Sequence, residues 1–128
     1  MAAITASRTA KGGYRHIEIW YGTGTANQAD TLSTAADASN AEGAHKLLYA
    51  YCSYSAAPTQ AGVTFEIDSN LGSGYDVTLS TGSANARYTV YIPDGDVVLM
   101  PDDAIKVSAP AAGGAITASI VIVTERLT

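Results

Sequence analysis

Charge is what this chain has least of. Only 15% of its residues are charged, against about a quarter in ordinary soluble domains. Ser, Thr, Ala, Gly and Tyr must therefore cover most of the surface. Uncharged groups cost far less to dehydrate than ions, so such a surface suits packing against neighbours. Basic residues are fewer still, seven in all: Arg8, Lys11, Arg15, Lys46, Arg87, Lys106 and Arg126. Nucleic-acid binding needs clustered Lys and Arg to displace counterions from phosphates. Scattered cations on a chain of net charge −5 and pI near 4.7 speak against DNA or RNA as a partner.

Cysteine occurs once, at Cys52, which excludes an intrachain disulfide and leaves stability to packing or association. Between Tyr51 and Ser53, Cys52 is expected to be a small buried hydrophobe. A catalytic thiol needs a base beside it, and none is apparent. Long apolar runs are missing as well. The longest, Ile120 to Val123, falls far short of the roughly 20 residues that cross a bilayer. The opening MAAITASRTAK is too polar for a signal peptide. The expectation is a protein made in a cytoplasm and not anchored in a membrane.

Candidate chemistry is thin. His16 and His45 are separated by a long excursion, unlike the close ligand pairs of metal sites, and read as surface or interface histidines. Asp68, Asn70 and Asp76 open like a calcium loop, but the later carboxylate of an EF-hand is missing. Asp94, Asp96, Asp102 and Asp103 offer paired carboxylates, the equipment of glycoside hydrolysis. Each pair sits in a turn beside proline, where aspartate commonly caps the backbone. Gly22–Thr23–Gly24 lacks the third glycine and following helix of a dinucleotide site. No serine stands in a nucleophile elbow. A non-enzyme without cofactor or metal is expected.

What is present is rhythm. Beyond residues 1–13, a polar arm ending in Gly12–Gly13, period-two alternation sets in. Ile17, Ile19 and Tyr21 share one face, and His16, Glu18 and Trp20 the other. Residues 22–43 carry Leu32 as their one large apolar residue. They read as an exposed excursion with a short edge strand near Asp30–Leu32, and Ser, Asp and Asn interrupt any helix over Thr34–Ala41. In residues 45–55, Leu47, Tyr49 and Tyr51 alternate with Leu48, Ala50, Cys52 and Tyr54. Further alternating runs centre on Phe65, Val77, Val90, Val97–Met100, Ile105 and Ile120, divided by Gly-, Ser- and Pro-rich turns. About eight strands at this beat predict one all-β antiparallel domain over 14–128. A jelly-roll sandwich is preferred, ahead of an immunoglobulin-like one because the Cys…Trp…Cys spacing is absent.

Seven of the eight tyrosines and Trp20 lie in these strands or at their edges. Cross-strand packing accounts for most of them. Trp20, Tyr54 and Tyr91 fall on faces opposite to, or ambiguous with, the inferred core. Exposed Tyr and Trp anchor interfaces and also stack on sugars. With Tyr14 and the arm cations Arg8 and Lys11 they make the expected interface set.

In the second half, from Gly62, the chain runs through YIPDGDVVLMPDDAIKV (Tyr91 to Val107), the Pro110–Gly114 turn and the final ITASIVIVTER. With these segments it resembles small virion proteins of tailed bacteriophages. The same proline turn, Leu-x-Pro-x-Asp step and Gly-Gly hairpin recur in head decoration (cement) and tail-associated proteins. The resemblance implies a virion component, often a homotrimer, that binds the major capsid protein or other virion proteins and braces the shell. The arm 1–13 would then be the strap. The alternative expectation is a receptor- or carbohydrate-binding module of a phage tail or fibre. A hydrolase using the carboxylates comes third, and would need two of them facing each other across a cleft.

Overall fold

The computed structural model describes residues 17–34 and 44–127, together with the backbone of 7–11. Ten strands are present among them: β1 Ser7–Lys11, β2 Ile17–Thr25, β3 Asp30–Ser33, β4 His45–Tyr54, β5 Thr64–Asp68, β6 Val77–Thr81, β7 Tyr88–Tyr91, β8 Val97–Leu99, β9 Ala104–Ala109 and β10 Thr117–Arg126. They form two antiparallel sheets. The six-stranded sheet runs β1-β2-β10-β4-β7, with β8 also pairing β4; the four-stranded sheet runs β3-β9-β5-β6. From β2 onward the chain passes back and forth between the sheets in the order of a jelly roll.

The eight regular runs of the sequence are β2 and β4 to β10, and the edge strand expected near Asp30–Leu32 is β3, which pairs with β9. The addition is β1. Residues 7–11 do not hang as a free arm; their backbone pairs with β2, Arg8 opposite Trp20 and Lys11 opposite Ile17. β7 and β8 line up along the same side of β4, divided because Pro93 removes a ladder donor and the Pro93–Asp96 turn steps the chain along its neighbour. The Thr34–Ala41 stretch lies almost entirely outside the described residues.

Between the sheets lies one core. Trp20, Leu47, Ala50, Cys52, Tyr54, Leu99, Ala118, Ile120 and Ile122 come from the larger sheet; Leu32, Phe65, Ile105, Val107 and Ala109 come from the smaller. Burying each large apolar chain contributes about 1.5–3 kcal/mol. Two face assignments differ from the sequence pattern. In β2, Glu18 and Trp20 point inward and Ile17, Ile19 and Tyr21 outward. The inward row is held by Trp20 Nε1 donating to Thr124 Oγ1 at 3.2 Å and by Arg126 Nε beside Glu18 Oε1 at 3.4 Å. In β4 an irregularity opposite Val123/Thr124 inserts Leu48 as an extra residue. Leu47 therefore joins Ala50, Cys52 and Tyr54 inside, while Tyr49 and Tyr51 turn out.

Gly62 is needed where the chain enters β5: a Cβ there would collide with the Gly82 carbonyl oxygen. The close approach lets Gly82 N–H donate to the Val63 carbonyl at 2.8 Å, closing the sandwich beside β6.

Candidate binding face

The site is built by strand register. In the six-stranded sheet, Tyr21, Val121, Tyr51 and Val90 stand directly across from one another on β2, β10, β4 and β7. The next row on the same outer face is Ile19, Val123 and Tyr49. Tyr88, opposite Ser53, and Ile92, two residues beyond Val90, extend the face at its β7 margin. Exposure rises steadily from the middle of the sheet to that margin, from 9% at Val121 to 36% at Tyr51 and 59% at Val90, reaching 67–70% at Ile92 and Tyr88. Val121 and Val123 are buried although they belong to this outer face, between the flanking tyrosines. The rings of Tyr49 and Tyr51 stack 6.5 Å apart and within 9° of parallel, which makes a flat aromatic step.

Polar rows border this face at both ends. Thr23, Ser119 and Ser53 form a hydroxyl row, with Thr23 Oγ1 3.3 Å from Ser119 Oγ. Beside it Arg87 donates to the carbonyls of Tyr54 at 3.1 Å and Ser55 at 2.9 Å. Its guanidinium sits 5.6 Å over the Tyr88 ring, a cation held against an aromatic face. At the opposite end an open cleft of about 300 Å³ is lined by Lys46, Leu47, Leu48, Pro93, Asp94, Gly95 and Asp96. Lys46 Nζ spans it to Asp96 Oδ1 at 3.0 Å. The bulged Leu48 forms one wall and the Pro93–Asp96 turn the other.

The three expected interface residues whose side chains are described, Trp20, Tyr54 and Tyr91, do not stand on this face. Trp20 and Tyr54 are buried, 1% and 3% exposed, and have no surface to offer. Tyr91 is half-buried, packed on the core with its ring 5.9 Å from Phe65. Tyr14 and His16 fall outside the described residues, as do the side chains of Arg8 and Lys11. What the sequence pattern missed was Tyr21, Tyr49, Tyr51 and Val90. The available signal was the doubly apolar reading of residues 45–54, which marks either a fully covered strand or one whose second face awaits a partner.

The remaining candidates resolve into structural roles. Cys52 is buried, and burial pushes its thiol up to about 11, an effect only partly offset by the Tyr54 hydroxyl. His45 is buried at the end of β4, opposite Leu99 and Arg126. Asp76 Oδ1 accepts the Ser69 N–H at 2.8 Å and Asp103 Oδ1 accepts the Asn70 N–H at 2.9 Å, so both act as backbone caps. No group of three or more His, Cys, Asp or Glu suited to a metal ion occurs among the described residues. The cleft's two carboxylates, Asp94 and Asp96, come from one turn, and Asp96 is paired with Lys46. Among the described residues no helix is long and apolar enough to cross a membrane.

No protein-family model matches the chain, and no curated protein matches it in sequence. Solved structures with a similar course of strands include the family 32 carbohydrate-binding module of C. perfringens NanJ, in complex with galactose. It has a TM-score of 0.45 and 15% identity, covering 94% of this chain and 93% of that one. Chitosan-binding module 1 of a chitosanase/glucanase from Paenibacillus sp. IK-5 has a TM-score of 0.42 and 11% identity, over 93% and 75% of the two chains. The virus-like particle of Macrobrachium rosenbergii extra small virus has a TM-score of 0.39 and 12% identity, over 98% and 82%. Likenesses this distant carry neither ligand nor partner across.

Proposed function

We propose that the protein is a non-enzymatic structural component of a virion. In this reading it is a decoration or cement protein that acts as a homo-oligomer and sets the outer face of its six-stranded sheet against the shell. One observation carries it: the unbroken apolar face from Tyr21 to Val90, extended by Tyr88, Ile92 and Val98. Contiguous exposed apolar side chains of this kind mark interaction surfaces on soluble proteins. Shape favours a protein occupant. Small ligands are held in concave sites, whereas most of this face is open sheet carrying exposed Val90, Ile92 and Val98. The virion setting is supported by the resemblance of the second half, from Gly62, to small head-decoration and tail-associated virion proteins of tailed bacteriophages.

The test is co-sedimentation with shells assembled from the major capsid protein of the same genome. Wild-type protein should pellet with the shells. Tyr51→Asp, folded by circular dichroism, should stay in the supernatant. Failure of the wild type to bind, or unchanged binding of the variant, would remove this reading.

A second reading, a receptor- or carbohydrate-binding module, has its own observation. The Tyr49–Tyr51 aromatic step lies beside the Lys46–Asp96 cleft, pairing a stacking surface with groups able to exchange hydrogen bonds with sugar hydroxyls. A glycan array decides it. Binding abolished by Asp96→Ala as well as Tyr49→Ala would favour this reading over the first.

A further inference from the structure

Each sheet of an open sandwich ends in strands whose outer N–H and C=O groups have no ladder partner, and proteins ordinarily blunt such edges with charge, proline, shortness or a bulge. Three of the four edges here carry a charge or a bulge. β1 carries Arg8 and Lys11 in its five residues. β3 is four residues long and opens with Asp30. β6 takes an extra residue opposite Phe65/Glu66, a bulge that bends it away from straight pairing. The fourth edge is shared along β4 by β7 and the three-residue β8, which Pro101 follows closely. The β7 part is also short, four residues with Pro93 two positions beyond, but it is uncharged and pairs without a bulge, which sets it apart from β1, β3 and β6. Residues 88–92, Tyr-Thr-Val-Tyr-Ile, hold no charge and no proline, and β7 pairs with β4 without a register break. It is also where apolar exposure is high, at Tyr88, Val90 and Ile92.

We infer that the β7 edge is the seat of a second copy of this chain, paired antiparallel across a two-fold axis through Val90. The sequence is self-complementary in that register. Val90 meets the partner copy's Val90, Thr89 meets the partner copy's Tyr91, and Tyr88 meets the partner copy's Ile92. Aromatic and β-branched pairs of this kind are the favourable cross-strand contacts. No like charges are opposed, and Arg87 arrives at the partner copy's Pro93–Asp94 turn. Tyr88, Val90 and Ile92, all exposed in the single chain, would lie beside the partner copy's same three side chains across the seam. Pairing would join the two outer faces into one apolar belt across both copies. This departs from the homotrimer that the resemblance implies: a two-fold contact is isologous and closes at two. It does not depend on what the belt then binds, because its test involves neither shells nor glycans.

Light scattering should give a solution mass near twice 13.1 kDa. Val90→Glu, which sets like charges face to face on the axis, should shift it to a single 13.1 kDa chain with an unchanged circular dichroism spectrum. Directly opposed strand residues lie about 4.5–5.5 Å apart at Cα, inside the disulfide range of about 4.4–6.8 Å. Val90→Cys should therefore form an intermolecular disulfide under mild oxidation, while Thr31→Cys on the other sheet should not. A monomeric wild type, a mass near three times 13.1 kDa, or a Val90→Cys variant that cross-links no faster than the Thr31→Cys control would overturn the proposal.

Discussion

The two sheets differ most on the sides that face away from each other. On the four-stranded sheet, Thr31, Ser108, Thr64 and Thr81 form one outer row and Ser33, Lys106, Glu66 and Thr78 the next. Every member is polar, and Lys106 Nζ pairs with Glu66 Oε1 at 2.9 Å. On the six-stranded sheet the corresponding rows are Tyr21, Val121, Tyr51, Val90 and Ile19, Val123, Tyr49. Antiparallel sheets with one wet face alternate apolar and polar residues. The smaller sheet keeps that rule and the larger one breaks it. Both sheets already bury an inner face in the same core, so the second apolar face does little for the isolated fold. It makes sense as a surface for something else.

The sharpest way to break this comparison is to show that inner and outer sides of the larger sheet are equivalent. Trp20→Ala should cost about 3–5 kcal/mol in denaturant unfolding, since it empties a fully buried site. Tyr51→Ala, on the outer side of the same sheet, should cost under about 1 kcal/mol. Similar losses would mean the outer face is part of the folding core.

Cys52 reports on the inner side without altering it. The folded thiol, raised by burial from 9.0 to about 11, should resist alkylation at mildly alkaline pH until the protein is unfolded in guanidinium. Because the folded value is the higher one, the associated stability is complete below pH 9 and falls as pH rises toward 11. Rapid labelling of native protein would show that the sandwich opens along β4.

The smallest effect belongs to the polar face. Its Lys106 is held above its ordinary value, first by the hydrogen bond to Glu66. The pair's contribution should therefore persist up to about the free-lysine pKa of 10.5 and fade above it. Glu66→Gln should cost about 0.2–1 kcal/mol, as partly exposed ion pairs do, and should leave co-sedimentation with shells unchanged. Lost binding would move the partner surface to the other sheet.

The fold class, the β3 edge strand and the alternation of β5, β9 and β10 are legible in the sequence, because those strands keep a strict period of two. Two local features hide the rest. The Leu48 bulge makes Leu47 and Tyr49 look like neighbours on one face when they point to opposite sides. In β2, Ile17, Ile19 and Tyr21 read as the buried row by hydrophobicity alone. Trp20 and Glu18 take that place because Thr124 and Arg126 on β10 supply their polar partners. Those partners lie more than 100 residues away, beyond the reach of any local pattern. The binding face is hidden by the same two features, since Tyr21 and Tyr49 read as core and Trp20 and Tyr54 as surface.

The most direct test of the central claim is hydroxyl-radical footprinting of the tyrosines, free and bound to assembled shells. Tyr21, Tyr49 and Tyr51 should be oxidised in the free protein and protected on the shell. Tyr75, exposed on the turn before β6 and off the face, should be oxidised equally in both. Unprotected Tyr49 and Tyr51 in shell-bound protein would contradict the account.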